Sequence, residues 1–181
     1  MPPDSDRIID LYERNAQNYV ADRRGVGWDE SAWLVRFIAL LPQAATILDI
    51  GCGSGEPIAR YLIERSFAVE GVADMRNLAL GRTFHGLLAW DSFFHLCHDD
   101  QRRMFPIFRL HAASGAALMF TSGASHGVAI GTYHGEPLYH ASLAPEEYRA
   151  LLKENGFRVE AHVTEDPNCG RHTIWLAQVV R

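Results

Sequence analysis

The sequence has little cysteine and no long apolar run. Its three cysteines, Cys52, Cys97 and Cys169, are an odd number and lie far apart, so they do not suggest a disulfide framework. No apolar stretch approaches the roughly 18 residues that a membrane-spanning helix needs. The start, Met1-Pro2-Pro3-Asp4, lacks the charged and apolar segments of a signal peptide. These absences predict a reduced, cytoplasmic protein that does not bind membranes.

Charge and size are those of an ordinary globular domain. Hydrophobic residues make up 48% of the sequence and charged residues 22%, and 181 residues suffice for one domain with a buried core. The formal net charge is −5, the isoelectric point is near 6.0, and there is no basic run. This balance gives no electrostatic help in binding nucleic acid. We therefore expect a single domain over residues 1–181 that acts on a small molecule, as a monomer or a homodimer.

Apolar periodicity predicts strands that alternate with helices. Helical spacing or capping signals predict helices at 5–22, 29–40, 56–66, 98–111 and 144–155. Short apolar or alternating runs predict strands at 46–50, 67–72, 83–90, 115–121, 157–163 and 173–180. This alternation is typical of an α/β fold whose central strands are parallel and whose helices cover both faces of the sheet.

A glycine turn follows the first predicted strand. Gly51, Gly53 and Gly55 have no Cβ, so the backbone there can turn tightly and approach a ligand closely. The amides that open the next helix can meet a carboxylate or another acceptor. Asp49 lies two residues before the first glycine, where its carboxylate can hold the loop amides or a ligand's ammonium group. No Gly-Lys-Ser/Thr follows, which excludes a phosphate-binding P-loop. Taken alone, the turn fits a purely structural role equally well.

In this context residues 47–55 (ILDIGCGSG) resemble the first motif of class I S-adenosylmethionine (SAM)-dependent methyltransferases. Residues 73–75 (ADM) resemble the adenine-binding segment, 88–96 (LAWDSFFHL) the fourth-strand motif, and 115–120 (GAALMF) the fifth strand. Residues 147–159 resemble the helix before the sixth strand. The resemblance covers nearly the whole chain in the family's order. It implies a Rossmann-like, mostly parallel sheet with an antiparallel last strand. The implied reaction is methyl transfer from SAM to a small-molecule acceptor, with S-adenosylhomocysteine (SAH) as product.

The resemblance also implies roles for individual residues. Gly51, Gly53 and Gly55 are expected to line the methionine and ribose part of SAM, Asp49 to organise their loop, and Cys52 to offer a backbone amide. Further cofactor contacts are expected at the adenine (Asp74, Met75), at the end of the fourth-strand motif (Trp90, Asp91), and on the N-terminal helices of residues 1–45 (Tyr12, Tyr19, Arg24). For the two tyrosines, core packing is the alternative.

The sequence departs from the family pattern after the second strand. That strand usually ends in an acid that binds the ribose hydroxyls, and a helix and a third strand follow. Here residues 69–72 run directly into 73–75, and a parallel crossover needs a dozen or more residues. Either a stretch is omitted from the chain as numbered, or the chain is shortened. We favour omission, which predicts Cα atoms of Val72 and Ala73 much farther apart than about 3.8 Å.

Histidines are the natural candidates for a general base. Methyl transfer from a sulfonium is an in-line displacement, and a base helps when the acceptor must lose a proton. His95 follows the fourth-strand motif, at the ligand edge of the sheet, and is the first candidate. His126, His134 and His140 are further candidates in residues 122–143, which we expect to form a loop on the substrate side. The weaker candidates are Asp166 and His172, and a structural role is the alternative for each histidine.

Other functions find less support. A degenerate SAM-binding domain without activity is the main alternative, because the ribose acid is missing. Pairs such as His95/His98 and Cys169/His172 match no zinc pattern, so we expect no metal. A Gly-x-Gly-x-x-Gly fingerprint for nicotinamide cofactors and a Gly-x-Ser-x-Gly elbow for hydrolysis are both absent.

Overall fold

A computed structural model describes residues 4–25, 29–72 and 74–180, without the side chains of residues 4 and 23–25. The helices are α1 (Ile8–Arg14), α2 (Ala16–Gly25), α3 (Ser31–Ile38), α4 (Ile58–Ile63), α5 (His98–His111) and α6 (Pro145–Glu154). The strands are β1 (Thr46–Ile50), β2 (Ala68–Val72), β3 (Phe84–Ala89), β4 (Ala112–Ser122), β5 (Gly127–Tyr133), β6 (Glu136–Ser142), β7 (Phe157–Asp166) and β8 (His172–Val179). Short 3-10 helices, Asp4–Arg7 and Phe93–His95, precede α1 and α5. Within these ranges, no helix is both long and apolar enough to cross a membrane.

Six strands form the main sheet, in the order β2-β1-β3-β4-β8-β7. The first four of these are parallel, and β8 runs antiparallel to both β4 and β7. The predicted α/β fold, with a mostly parallel sheet and an antiparallel last strand, is therefore confirmed. Ile50 pairs with Val72, and Asp49 pairs with both Gly71 and Leu88, so the carboxyl ends of β1, β2 and β3 meet at one edge of the sheet.

Helices bury both faces of this sheet. Alternate residues of a strand point to opposite faces, and Ile47 and Leu48 of β1 accordingly enter different cores. Leu48 packs in a core that includes Phe105 of α5 and Tyr148 of α6. Ile47 packs in a second core beneath α3 and α4. Burying each such large apolar side chain stabilises the fold by about 1.5–3 kcal/mol.

The edge of the sheet at β2 is short and partly exposed. In the described part of the chain β2 pairs with β1 alone, and no further helix and strand lie between β2 and β3, as the sequence departure predicted. The segment 74–83 covers this side of the sheet: Met75 and Leu78 are only 5% and 6% exposed and join the core around Leu48. Ala73 lies outside the described residues. The prediction about the distance between the Cα atoms of Val72 and Ala73 therefore concerns a position that the structure does not describe.

The N-terminal helical segment is broken, although one continuous helix was predicted. Asn15 ends α1, and its side-chain amide donates a hydrogen bond to the carbonyl of Leu11 across 3.0 Å. Asparagine competes with the helix backbone in this way and favours helix ends. The backbone amide of Tyr19 in turn donates to the carbonyl of Asn15, 2.9 Å away, which begins the hydrogen bonding of α2.

The segment 122–143, predicted as a loop, is largely a β-hairpin. Strands β5 and β6 pair antiparallel from Gly127 opposite Ser142 to Tyr133 opposite Glu136. The turn is made by His134 and Gly135, which have φ values of 46° and 82°. Two-residue turns with positive φ match the twist of the flanking strands, so they favour a tight hairpin over an open loop.

Candidate functional site

A cavity of about 330 Å³ lies at the carboxyl ends of β1 and β3, beneath α1 and α2. Ligands of open α/β sheets bind in this position. The cavity is lined by the N-terminal helices (Ser5, Ile8, Ile9, Tyr12, Glu13, Ala16, Tyr19, Val20), the glycine turn (Gly51, Gly53, Ser54), the segment after β2 (Asp74, Met75, Arg76) and the segment after β3 (Asp91, Ser92, His95, Leu96). A volume of this size suits a small organic ligand.

Two of the three glycines form the floor of the cavity. A Cβ on Gly51, where φ is 75°, would lie 2.8 Å from Oγ of Ser92. That hydroxyl donates a hydrogen bond to the carbonyl of Ile50 across 2.7 Å and fixes the turn to the end of β3. A Cβ on Gly53 would lie 3.3 Å from the ring of Tyr19. The missing side chains therefore leave bare backbone at the floor. Gly55 has a φ of 75° but lies outside the cavity lining.

Asp49 and Cys52 flank the first glycine of the turn but do not line the cavity. The Asp49 side chain is buried at the end of β1, and this burial raises its pKa to about 7. A Cβ added to Gly71 of β2 would lie 2.6 Å from Sγ of Cys52, so the thiol is directed at β2 and away from the cavity. Burial, with the nearby charge of Asp49, also raises the pKa of the Cys52 thiol.

The segment after β2 forms a charged end of the cavity. Arg76 donates to Asp74 through Nε and a terminal nitrogen, each across 3.2 Å, and to Asp6 through its other terminal nitrogen across 2.8 Å. The hydrogen bonds from Arg76 hold the pKa of the Asp74 carboxyl below its usual value. Met75 turns inward, and its side chain is shared between the cavity wall and the core.

Asp91 and Trp90 follow β3 but face different surroundings. Asp91 lines the cavity at a φ of 48°, and its backbone amide donates to Oγ1 of Thr121 across 2.9 Å. Its carboxylate pairs with Nε2 of His172 at 2.9 Å. Trp90 is buried in the core beneath α3 and α4, outside the cavity lining, with its ring centroid 5.4 Å from that of His172. Trp90 therefore supports the wall through His172.

His172 was only a weak candidate on sequence. Burial alone lowers its pKa, but the hydrogen bond and charge of Asp91 outweigh that effect and raise the pKa to about 9. The sequence signal that could have found it is modest: it is a histidine at the start of a predicted strand. Its partner could not be named without the pairing of β8 with β4.

His95 is a buried, neutral histidine at the cavity wall. Its Nδ1 lies 2.8 Å from the carbonyl of Tyr139, which places the ring hydrogen on Nδ1. Nε2 then accepts a hydrogen bond from the hydroxyl of Tyr12 across 3.1 Å. Burial lowers the pKa of His95 to about 4. The ring of His140 lies 4.8 Å from that of His95, just behind the cavity wall, and burial lowers its pKa as well.

The remaining candidates lie apart from the cavity. His134 occupies the hairpin turn, 3.2 Å from a carboxylate oxygen of Asp22, and His126 stacks on His98 at 4.5 Å. Asp166 accepts a hydrogen bond from Trp33 Nε1 across 2.8 Å. The side chain of Arg24, at the end of α2, is outside the described part of the structure. Among the described side chains no group of three or more His, Cys, Asp or Glu residues could hold a metal ion.

Tyrosines and histidines form an aromatic group at the hairpin side of the cavity. Tyr12 lies 5.4 Å from Tyr19, 5.4 Å from His95 and 5.7 Å from Tyr133, measured between ring centroids. Aromatic faces attract cations within about 6 Å, so this wall suits a positively charged group as well as an apolar one.

Comparison with known proteins gives matches among solved structures. No protein-family model and no curated protein sequence matches the chain. SAM-bound CalS10, an amino pentose methyltransferase from Micromonospora echinaspora, is 18% identical with a TM-score of 0.63, over 91% of this chain and 96% of that one. Burkholderia thailandensis 1,6-didemethyltoxoflavin-N1-methyltransferase, with its substrate and SAH, is 16% identical with a TM-score of 0.64, over 96% and 91%. The glycopeptide N-methyltransferase MtfA with SAH is 14% identical with a TM-score of 0.63, over 85% and 90%.

Proposed function

Since the chain has the fold of class I SAM-dependent methyltransferases, we propose that it binds SAM and transfers the methyl group to a small-molecule acceptor. The observation that carries the proposal is the cavity. It lies at the ligand edge of this fold, bare glycine backbone forms its floor, and a tyrosine–histidine pair forms its wall. The structural neighbours named above were crystallised with SAM or SAH, which supports the cofactor.

The residues present fit such a cofactor. A side chain on Gly51 or Gly53 would fill the space beside Ser92 and Tyr19, so these positions suit a ligand that lies against the backbone. We assign the methionine and ribose part to this floor and the adenine to Asp74 and Met75. We assign Tyr12 and Tyr19 to the cover over the methionine end, and Asp91 to its side. Outside the cavity, the residues that shape the turn are Asp49, Cys52 and Gly55.

The chain's own contribution to the reaction is alignment and exclusion of water. SAM, when bound, supplies a methyl group on an already activated leaving group, so positioning of the acceptor accounts for most of the rate. The N-terminal helices cover part of the cavity, and apolar side chains such as Ile8 and Leu96 line it. With ligands bound, this apolar lining would keep water from the reacting atoms and so strengthen the electrostatic interactions inside.

The Tyr12–His95 pair can accept and orient a proton. Both residues line the cavity, His95 offers Nε2 as an acceptor, and the Tyr12 hydroxyl bonded to it can pass a proton from the methyl acceptor to the imidazole. Because the pKa of His95 is only about 4, the pair is a weak base. It therefore suits a nucleophile that is already neutral and reactive, such as a weakly basic nitrogen of a heterocycle, better than an alcohol. MtfA is an N-methyltransferase and the Burkholderia thailandensis enzyme an N1-methyltransferase by name, which agrees with a nitrogen acceptor.

A second candidate is a SAM-binding domain without activity. The observation in its favour is β2, which ends the sheet where the family places a ribose-binding acid, a helix and a further strand. A charged hydrogen bond is worth about 1.5–3 kcal/mol, so loss of the ribose contact weakens binding about tenfold to a hundredfold.

Calorimetric titration with SAM and with SAH tests the proposal, with NADH as the control ligand. We expect both SAM and SAH to bind with dissociation constants in the micromolar range and NADH not to bind. Absence of SAM and SAH binding up to millimolar concentration would exclude the methyltransferase. Labelled SAM with aminosugars and N-heterocycles, the acceptor classes of the structural neighbours, then separates enzyme from binding domain. Transfer to any of them supports the enzyme, and tight SAM binding without transfer to any supports the second candidate.

A further inference from the structure

We propose that His172 is a positioning residue that holds the Asp91 carboxylate in the cavity wall and balances its charge. The pair thereby limits the preference of the site for the cationic cofactor over its neutral product. This inference rests on the proposed function, because it concerns SAM and SAH in the cavity described above. It gives a role to a histidine that does not itself line the cavity.

The geometry connects Asp91 to the sheet from two sides. Nε2 of His172, at the start of β8, lies 2.9 Å from Oδ1 of Asp91. The hydroxyl of Thr121, near the end of β4, accepts from the Asp91 amide at 2.9 Å and lies 3.4 Å from the same carboxylate oxygen. Asp91 has a φ of 48°, a left-handed backbone that costs a residue other than glycine about 1 kcal/mol or more. These contacts offset that cost and keep the carboxylate at the cavity.

The surroundings of His172 keep its imidazole charged and fixed. Its Nδ1 donates to the carbonyl of Cys169 across 2.7 Å, so both ring nitrogens have acceptors. The buried Glu30, which precedes α3, adds a second negative charge, and the Trp90 ring covers the imidazole. A Cβ on Gly170 would touch the His172 ring and lie 3.8 Å from Oδ2 of Asp29, which places a further carboxylate nearby. The pKa of about 9 agrees with a charged imidazole at neutral pH.

The functional consequence follows from charge. SAM carries a sulfonium cation that SAH lacks, and the two molecules share their other charged groups. An isolated carboxylate in the cavity wall would favour SAM and disfavour the electroneutral sulfur of the product. An imidazolium directly behind that carboxylate reduces this difference, because the net charge of the pair is zero. The ratio of the dissociation constants of SAH and SAM therefore reports on the pair.

The experiment is calorimetric measurement of this ratio for the wild type, His172→Gln, Asp91→Asn and the double variant at pH 7.5. We expect His172→Gln to raise the preference for SAM by about three- to tenfold, since the carboxylate loses its counter-charge. Asp91→Asn should lower the preference below that of the wild type. The double variant should match Asp91→Asn, because His172 acts through Asp91. His85→Gln is the control, since His85 bonds to Thr46 at the opposite end of the sheet and should leave the ratio unchanged.

A purely structural role for His172 would weaken SAM and SAH alike and leave the ratio where it is, which would overturn the inference. If a variant fails to fold, the same ratio is measured for the wild type at two pH values instead. Raising the pH from 7 to 9.5 deprotonates His172 and should raise the preference for SAM in the same direction, and a constant ratio over this range would also overturn it. If neither SAM nor SAH binds the wild type, the proposed function fails instead, so the two failures are distinguishable.

Discussion

The hydroxyl of Tyr12 donates a hydrogen bond to Nε2 of His95 across 3.1 Å and so joins α1 to the segment that follows β3. The ring hydrogen of His95 is committed to the carbonyl of Tyr139 at the other side. Three parts of the fold therefore meet at the imidazole of His95: helix α1, the edge of the sheet after β3, and the hairpin of β5 and β6. Its tautomer and protonation state are the first quantities to measure.

We expect His95 to be a neutral imidazole with hydrogen on Nδ1 between pH 5 and 8, because burial lowers its pKa to about 4. Nitrogen chemical shifts of the histidine rings report tautomer and charge directly. Tyr12→Phe should shift the Nε2 resonance of His95, since it removes the donor. Tyr133→Phe, which removes a hydroxyl that bonds to the exposed Asp22, should leave it in place. A His95 that titrates near 6.5 would contradict the prediction.

In activity measurements we expect Tyr12→Phe to lower methyl transfer about tenfold or more and SAH affinity less than threefold. In the proposed relay the hydroxyl takes the acceptor's proton. General-base catalysis contributes about 10²–10⁴-fold, and the low pKa of His95, about 4, puts this relay at the lower end of that range. Steady-state kinetics with any accepted amine, with calorimetry for SAH, separate the two effects. Equal losses in binding and rate would place the Tyr12 hydroxyl on the cofactor instead.

Gly51→Ala should destabilise the protein by about 2–4 kcal/mol and abolish SAH binding. The added methyl group meets Ser92, and alanine must also adopt a φ of 75°. Gly81→Ala is a matched control, because Gly81 has a φ of 65° and nothing within 4 Å of its added Cβ. Gly81→Ala should lower the free energy of unfolding by about 1 kcal/mol, from backbone strain alone. Urea unfolding measures both, and equal losses would show that the contact with Ser92 relaxes freely.

Stability should fall as the pH rises from 6.5 to 9.5, in part through His172. Its pKa in the fold is about 9, above the ordinary value of 6.5. The contribution of its charge is therefore fully present below pH 6.5 and is lost as the pH passes 9, by up to about 3 kcal/mol. Urea unfolding of the wild type and His172→Gln across this range should give a difference that shrinks with rising pH. A difference that stays constant would show that the ion pair contributes no pH dependence.

Leu78→Ala should cost about 2–4 kcal/mol, because Leu78 is 6% exposed and closes the core beside the short edge strand. Leu110→Ala is the control, since Leu110 of α5 is 65% exposed and its loss should change the free energy of unfolding by less than about 0.5 kcal/mol. If both variants lose little free energy of unfolding, the segment 74–83 does not replace the core packing that a helix after β2 would supply.

Local patterns were enough to predict the sheet and the glycine turn. The run at 46–50 is short, apolar and followed by three glycines, and β1 forms there because both faces of a central parallel strand are buried. The hairpin was missed, although residues 128, 130 and 132 alternate with small residues and the pair His134-Gly135 favours a two-residue turn. Its many glycines and histidines suggested a loop.

Long-range side-chain pairs lay beyond the reach of local patterns. That Tyr12 meets His95, and Asp91 meets His172, depends on how α1 crosses the sheet and on which residue of β8 lies beside β4. Trp90 and Asp91 are neighbours in sequence, yet one is buried in a core and the other lines the cavity. Trp90 continues the alternation of β3 and enters the same core as Leu88, whereas the backbone turns at Asp91 with a φ of 48°. Spacing alone could not separate their roles.

The position of β2 at the margin of the sheet makes the architecture modular. The strands that carry the glycine turn and Asp91 lie further inside, and each is buttressed on both sides by neighbours. A helix–strand unit grafted after Val72 would begin and end at the same margin and would leave those inner strands in register. Protein engineers can therefore treat this junction as an insertion point, through which ribose-binding groups are added while the wall formed by Tyr12 and His95 is left as it is.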